Sequence, residues 1–420
     1  MSQSTNKKGS ILAIVMMFFL FFMIAFVTNL CSPMATVVKQ QFGASELMGQ
    51  VGNYANFIAY LLMGIPAGML ISKFGYKKTA LAAILVGILG IALEFLSGQV
   101  ASYGVYVLGA FISGLCMCML NTVVNPMLNI LGGGGKKGNQ LIQIGGSFNS
   151  AGAVIVYILM GALVGTVTEK TSISDVTPAL FIALVIFALA FLVLFFTHID
   201  EPEQAPVQLS LVGGALKHRH FALGALAIFL YMSVEVGTPT YMVSYLQSPA
   251  VGISMEVAAL IAAVYWFMMF IGRTVGGAIG GKVSSRTMVS TVAAVACILI
   301  ALGIFLPSTL TVKVPGIDWA NLSVIWVPVP AGMAAFLLVG LCTSVMWGGI
   351  YNMAVEGLGK YTAAASGIFM TMVFGCAVMV AIQAALYDRI GLYSYFVPLC
   401  CAAYILFYAL VGSRVSKREE

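Results

Sequence analysis

Long apolar stretches alternate with short polar segments along almost the entire chain. Most stretches hold roughly 20 residues or more, the length that an α-helix needs to cross the hydrocarbon core of a bilayer. The pattern predicts about twelve membrane-spanning helices, at residues 11–38, 47–72, 78–98, 101–131, 141–166, 178–197, 220–247, 254–281, 287–307, 325–356, 363–387 and 392–413. The expected fold class is therefore an all-α membrane protein.

Composition and charge agree with this pattern. Of the 420 residues, 61% are hydrophobic and 8% are charged, whereas about 25% are charged in a typical soluble domain. Loops and termini on one side of the predicted bundle hold fifteen of the 20 Lys and Arg residues. Because cytoplasmic loops carry an excess of such residues, we expect both termini in the cytoplasm, in a bacterial inner membrane. The membrane topology accounts for the net charge of +6, so we expect no nucleic-acid partner. We also expect a monomer surrounded by membrane lipid.

Amide side chains interrupt the apolar stretches, where hydrocarbon offers them no partner. Asn121, Asn125 and Asn129 are spaced four residues apart, so they share one face of a helix. An unpaired amide costs roughly 4–8 kcal/mol in an alkane-like medium, so this face must line a polar path through the membrane. Amides also donate and accept hydrogen bonds, which suits the hydroxyl groups of a sugar.

The predicted substrate-binding residues combine such amides with an aromatic pair of the kind that stacks on the apolar face of a pyranose. They are Asn29, Asn53, Asn56, Asn121, Asn125, Gln143, Asn149, Tyr265, Trp266 and Asn352. A plainer interpretation stays open for both groups. Several amides would then only bridge helices, at roughly 0.6–2 kcal/mol for each bond, and the aromatic pair would pack in the core or against lipid.

Two carboxylic acids fall in the interior of predicted helices rather than among the first or last three residues. Glu94 lies near the end of the third helix, where we expect it to extend toward water. Glu235 lies in the seventh helix, where a charged group is costly and marks an ion or substrate path. We expect Glu235 to take up a proton or to help bind Na⁺ when substrate enters. The alternative is a carboxylate that is wetted by the cavity or paired with a lysine or arginine.

The second part of the chain repeats features of the first. Asn125 and Asn352 are each followed six and seven residues later by Leu-Gly, just before a loop that carries lysine. The polar segment at 198–218 predicts a cytoplasmic linker between two six-helix halves, 1–197 and 219–420. An internal repeat of this kind places the binding site between the halves.

The segment GMLISKFGYKK at 68–78 resembles the loop signature of the major facilitator superfamily, with Ser72 in place of the usual aspartate. We expect Gly68 to permit close helix contact and Gly75 to permit a tight turn. Arg273, at the end of YWFMMFIGR, is expected to latch helix ends on the cytoplasmic side, and contact with substrate is the alternative. The predicted conformational latch comprises Gly68, Gly75, Lys77, Lys78 and Arg273.

Within that superfamily, the chain is similar to the fucose–galactose–glucose:proton symporter family. The resemblance rests on pieces in both halves, including FVTNL at 26–30, NTVVNPMLNILG at 121–132, SFNSAG at 147–152, SVEVGTPTYMVSYL at 233–246 and GIFMTMVFGCAVM at 367–379. It implies the major facilitator fold, with two pseudo-symmetric six-helix halves that transport by alternating access. Ser32 and Asn121 stand where fucose-type members carry acids, whereas Glu235 stands where the galactose/glucose-like branch has a carboxylate.

We therefore expect a secondary active transporter that moves a small neutral polyhydroxy solute, a sugar or amino sugar, by symport with H⁺ or Na⁺. The alternative is a facilitator that exports or imports a different small organic solute without sugar specificity. Neither HExxH, GxSxG nor a Walker-type loop occurs in the sequence, so neither an enzyme nor an ATP-driven pump is expected. The eight cysteines show no CxxC spacing, and we expect no metal, no cofactor and no disulfide.

Overall fold

The helices of the computed structural model follow most of the predicted apolar stretches. The structure describes residues 2–132, 135–164, 170–197, 199, 209–280, 282–318, 323–358 and 361–415. Its helices are α1 (Ser2–Phe42), α2 (Glu46–Gly49), α3 (Val51–Phe74), α4 (Tyr76–Val100), α5 (Tyr103–Leu131), α6 (Gly135–Val164), α7 (Thr177–Phe196), α8 (Leu209–Leu216), α9 (Arg219–Met232), α10 (Thr238–Gln247), α11 (Met255–Ile279), α12 (Ser285–Phe305), α13 (Ala331–Val355), α14 (Thr362–Met372), α15 (Gly375–Ile390) and α16 (Phe396–Phe407). Its strands are β1 (Thr311–Asp318) and β2 (Ser323–Pro330), and a π turn (Ser233–Gly237) joins α9 to α10.

The described residues contain eleven candidate membrane spans, of which the last, Ala365–Gly412, is 48 residues long. A single helix of that length would extend about 72 Å, more than twice the roughly 30 Å thickness of a bilayer core. A 3₁₀ turn at Gly391–Tyr395 divides this segment, and Gly391 adopts a φ of 55° there. Glycine takes that conformation without steric cost, so the chain can reverse at this point. The eleven segments therefore hold twelve crossings, as the sequence predicted.

Contacts between helix ends define two ends of the bundle. At one end, the Glu46 backbone N–H donates to Asp388 Oδ1 at 3.2 Å and joins the start of α2 to the end of α15. We call this the hairpin end, because the connection that carries β1 and β2 lies there. At the other end, Arg286 Nη2 donates to the Ser413 carbonyl oxygen at 3.3 Å, near the last described residues. We call this the terminal end.

The predicted tenth helix, 325–356, begins too early, because a two-stranded sheet precedes it within the otherwise helical fold. Strands β1 and β2 pair antiparallel, and α13 begins only at Ala331. Val314 is buried while the residues on either side of it are exposed, which is the alternation of a half-buried strand. The apolar run continues from strand into helix, so apolarity alone did not mark the boundary. The β-branched residues and Pro330, the N-cap of α13, are the local signals for it.

Glu94 lies in α4 and is buried, with an exposure of 2%, so the prediction that it extends toward water was wrong. Its Oε1 accepts a hydrogen bond from Ser113 Oγ of α5 at 2.8 Å. The two helices approach closely, because a Cβ at Gly109 would lie 2.7 Å from the backbone nitrogen of Glu94. A glycine on the neighbouring helix thus allows α5 to cover the carboxyl group and to supply its partner.

The predicted linker at 198–218 lies partly outside the described residues. Residue 199 and residues 209–218 are described, and α8 occupies Leu209–Leu216. A Cβ at Gly214 would overlap the ring of Tyr361, so α8 packs beside the start of α14 at the terminal end. The division of the chain into halves at this segment stays a prediction.

Candidate functional site

A cavity of about 160 Å³ lies between the helices. Helices α1, α3, α5 and α6 line one side, and α9, the π turn, α11, α13 and α14 line the other. The polar lining consists of Thr28, Asn29, Tyr60, Asn121, Asn125, Gln143, Asn149, Glu235, Trp266, Arg273 and Ser344. The volume is smaller than the roughly 300–1,000 Å³ of pockets for drug-sized ligands. The arrangement therefore suits a small polar solute held between the two predicted halves.

Hydrogen bonds to neighbouring groups fix the amides on the first side of the cavity. Asn121 Nδ2 donates to Tyr60 Oη at 2.9 Å, which ties α5 to α3. Asn125 Nδ2 donates to the Asn121 carbonyl oxygen at 2.9 Å, one turn earlier in the same helix. Asn149 Nδ2 donates to the Phe21 carbonyl oxygen at 3.1 Å and ties α6 to α1. Because each amide is anchored through its nitrogen, its orientation in the cavity wall is set before a solute binds.

Glu235 reaches the cavity from the π turn, whereas the sequence predicted one continuous helix over 220–247. Proline has no N–H to donate, so Pro239 leaves the Glu235 carbonyl oxygen without its ordinary α-helical partner. A helix widened by one residue follows, and such π bulges are frequent at functional sites. Tyr265 Oη donates to the Val234 carbonyl oxygen at 3.1 Å, so α11 supports the turn from behind.

Arg273 reaches across the cavity from α11 to α6, and its role as a latch stays a prediction. Its Nη1 donates to the Gly146 carbonyl oxygen at 2.5 Å and to Ser150 Oγ at 2.9 Å. The same nitrogen donates to Asn149 Oδ1 at 3.3 Å. Its Nη2 lies 3.6 Å from Glu235 Oε1, and the two side chains are 11% and 13% exposed. A single cation thus contacts the backbone of one predicted half and the carboxylate of the other.

The cavity brings together eight of the predicted residues: Asn29, Asn121, Asn125, Gln143, Asn149, Glu235, Trp266 and Arg273. Four other predicted binding residues lie outside its lining. Asn53 and Asn56 are fully buried in α3. Tyr265 is also fully buried, and its hydroxyl oxygen lies 3.2 Å from Thr343 Oγ1. Asn352 is exposed near the terminal end of α13.

The predicted latch residues after α3 differ in what they contact. Gly75 ends α3 with a φ of 84°, which is the tight turn that the sequence predicted. A Cβ at Gly68 would meet nothing within 4 Å, so the predicted close helix contact at that residue is wrong. Lys77 Nζ donates to the Phe195 carbonyl oxygen at 2.9 Å and joins the start of α4 to the end of α7, while Lys78 is exposed.

Sequence reasoning missed several side chains of the lining because it searched for amides and carboxylates. Tyr60 follows Asn56 by four residues, so helical spacing from a predicted amide was a usable signal. Trp347 offers a second aromatic surface, and its ring stacks on Tyr351 with centroids 5.9 Å apart. Thr28 and Ser344 complete the set and carried no distinct signal.

Comparison with known proteins covers nearly the whole chain. The profile of the Major Facilitator Superfamily matches residues 17–381. A protein of Brucella abortus (strain 2308) named glucose/galactose transporter is 28% identical, over 98% of this chain and 97% of its own length. The L-fucose-proton symporter of Escherichia coli (strain K12) is 21% identical, over 98% of this chain and 95% of its own. Among solved structures, the transporter FucP in the outward conformation matches with a TM-score of 0.71 and 20% identity, over 96% of this chain and 98% of that one.

Proposed function

The chain belongs to the Major Facilitator Superfamily, and from that premise we propose that it carries a small neutral sugar across the membrane together with a proton. It is an integral membrane transporter and not an enzyme, and the superfamily and fold predicted from the sequence are confirmed. The names of its relatives, glucose/galactose transporter and L-fucose-proton symporter, support the substrate class and the coupling ion.

The amide-lined cavity between the predicted halves is the observation that carries the proposal. Its amides are neutral and present both donors and acceptors, which matches the hydroxyl groups of a sugar better than a carboxylate or a lipophilic cation. Trp266 and Trp347 add aromatic surfaces for the apolar face of a sugar ring. A site that touches both halves is the arrangement that alternating access requires.

Glu235 and Arg273 supply the coupling step of this proposal. Among the described residues, Glu235 is the carboxylate that lines the cavity. While it is ionised, it balances the charge of Arg273 at 3.6 Å, and Arg273 holds α6 through Gly146. When Glu235 takes up a proton, Arg273 loses this counter-charge, and the balance of contacts between α6 and the π turn changes. Proton uptake and movement of the halves are thereby linked, and sodium is the alternative ion.

The same proposal includes the orientation in the membrane. The excess of Lys and Arg at one end supports termini in the cytoplasm of a bacterial inner membrane. The terminal end then faces the cytoplasm and the hairpin end faces the opposite side. The transporter works as a monomer surrounded by lipid.

Uptake into proteoliposomes tests the proposed function. The panel is labelled fucose, galactose, glucose and N-acetylglucosamine, with a proton or a sodium gradient imposed separately, and liposomes without protein are the control. We expect one or more sugars to accumulate under the proton gradient and to leak out when a protonophore is added. Accumulation under sodium alone would overturn the proposed ion. Downhill movement without accumulation would establish the facilitator, and an absence of any sugar signal would overturn the sugar proposal.

A further inference from the structure

A ring of hydrogen-bonded polar side chains joins the two predicted halves between the cavity and the hairpin end. We call this ring the polar zipper; its members are Ser32, Glu46, Gln50, Asn53, Thr240 and Ser244. The first four lie in α1, in α2, at the cap between α2 and α3, and in α3, and the last two belong to α10. None of the six lines the cavity.

The contribution of α10 comes from two hydroxyl groups one helical turn apart. Ser244 Oγ donates to Glu46 Oε1 at 2.6 Å. Thr240 Oγ1 donates to Ser32 Oγ at 3.0 Å. Residues spaced four apart share one helix face, so this face of α10 is presented to the opposite half at both levels.

The opposite half closes the ring through its own side chains. Gln50 Nε2 donates to Glu46 Oε1 at 3.4 Å, and Asn53 Nδ2 donates to Gln50 Oε1 at 2.6 Å. Asn53 Nδ2 also donates to Ser32 Oγ at 3.2 Å. The chain of bonds from Ser244 to Thr240 is therefore unbroken, and each hydroxyl that crosses between the halves meets a group that is already held in place.

Glu46 is the charged residue of the zipper and has partners on both halves. Its side chain is 4% exposed, and its Oε2 lies 2.9 Å from Lys39 Nζ, which balances the charge. Its backbone N–H donates to Asp388 Oδ1 at 3.2 Å, so it also ties α2 to α15. A buried carboxylate needs partners of this kind; Lys39 and Gln50 belong to the same half as Glu46, and Ser244 is the carboxylate partner that the opposite half adds.

The position of the zipper identifies what it closes. Thr28, Phe57 and Val236 line the cavity. Each of them lies four residues along the chain from a zipper residue, which is Ser32, Asn53 and Thr240 respectively. In each pair the zipper residue is the one nearer the hairpin end. The zipper is thus the layer directly above the cavity.

We propose that the polar zipper is the gate that holds the hairpin end of the cavity closed, and that Asn53 is a gate residue instead of a sugar ligand. Water can replace each of its hydrogen bonds when the halves separate, whereas a buried apolar contact would gain nothing from water. A polar seam between the halves therefore closes and opens reversibly. The purpose of this gate rests on the proposed function, but its test requires no solute.

The test removes the two hydroxyl groups that α10 contributes, in the double variant Thr240→Val/Ser244→Ala. Nitroxide labels are placed at the exposed positions Met48 and Ala250, one on each half at the hairpin end, after replacement of Cys297 and Cys400 by serine. Pulsed electron spin resonance then measures the distance between the labels in lipid nanodiscs. We expect the fraction of molecules with the longer distance to rise roughly fivefold or more, as expected for the loss of two interhelical hydrogen bonds.

The matched control is Thr274→Val/Ser290→Ala, which removes one threonine and one serine hydroxyl that bond only to their own helices. It should leave the distance distribution unchanged. Glu46→Gln is a second, milder variant that keeps the shape of the side chain, and it should shift the distribution in the same direction. Distributions identical to the parent in both zipper variants would overturn the proposal. The label distances do not depend on sugar transport. The proposed gate and the proposed function can therefore be contradicted independently of each other.

Discussion

The polar zipper and the cavity wall below it contain the same types of residue, but their side chains differ in burial and in hydrogen-bond partners. In the zipper, Asn53 is fully buried and bonds to two other side chains of a closed ring. In the wall, Asn121 and Asn125 are half-buried, and their nitrogens are anchored to a tyrosine hydroxyl or to the helix backbone. The zipper amide is thus saturated by the protein, whereas the wall amides border open space.

The charged pairs of the two regions differ in the same way. Lys39 and Glu46 lie 2.9 Å apart at the edge of the ring, and Glu46 has further partners on the opposite half. Glu235 and Arg273 lie 3.6 Å apart in the cavity. A short, multiply bonded pair holds one arrangement, while a longer pair beside open space can exchange partners. The contrast fits our two proposals, in which the polar zipper closes the hairpin end and the cavity responds to sugar and proton.

Glu235→Gln gives the largest expected effect, because it removes the group that we propose takes up the proton and keeps the shape of the side chain. We expect accumulation against a concentration gradient to be lost completely, with the internal sugar concentration rising only to the external value. Exchange of labelled for unlabelled sugar should persist, because it needs no net proton movement. Uptake and exchange measured in the same proteoliposomes check this. Unchanged dependence on the proton gradient in the variant would contradict a coupling role for Glu235.

Replacing a cavity amide with alanine should have a smaller effect on transport than Glu235→Gln, and an exposed amide serves as the control. Asn125→Ala removes a cavity amide, so we expect the KM for sugar to rise roughly fivefold, the equivalent of about 1 kcal/mol for one hydrogen bond. Asn352→Ala, at an exposed position, is the matched control and should leave the KM unchanged. Equal effects of both substitutions, measured as initial rates over a range of sugar concentrations, would remove Asn125 from the binding site.

The general fold could be predicted from the sequence because its cause is local. Apolar stretches of sufficient length must form helices in a bilayer, where every backbone group needs a partner. The cost of burying a carboxylate likewise pointed to Glu235, which does line the cavity. Pro239 was the one local sign of the π turn from which Glu235 reaches that cavity, and helical periodicity alone could not show it.

The roles of individual amides could not be predicted, because they depend on which element packs opposite. Asn53 and Asn121 both interrupt apolar stretches, and nothing in their neighbouring residues shows that one meets Ser32 and the other borders a cavity. The same holds for Glu94, which is buried because Gly109 and Ser113 of another helix pack against it. Patterns along one helix predict which face is polar, but the partner of that face belongs to the tertiary structure.

Gly146→Ala gives the smallest expected effect and tests whether the position of Arg273 matters. The added Cβ would lie 3.3 Å from Arg273 Cδ, so the arginine must shift by a few tenths of an ångström, and its bond to the Gly146 carbonyl oxygen weakens. We expect the transport rate to fall by under roughly fivefold, less than the full loss of a charged hydrogen bond. Gly68→Ala is the matched control, because a Cβ there meets nothing within 4 Å and the rate should not change. If both variants transported at the parental rate, the contact between Arg273 and α6 would be a packing feature, and the response of the cavity to protonation would depend on Glu235 alone.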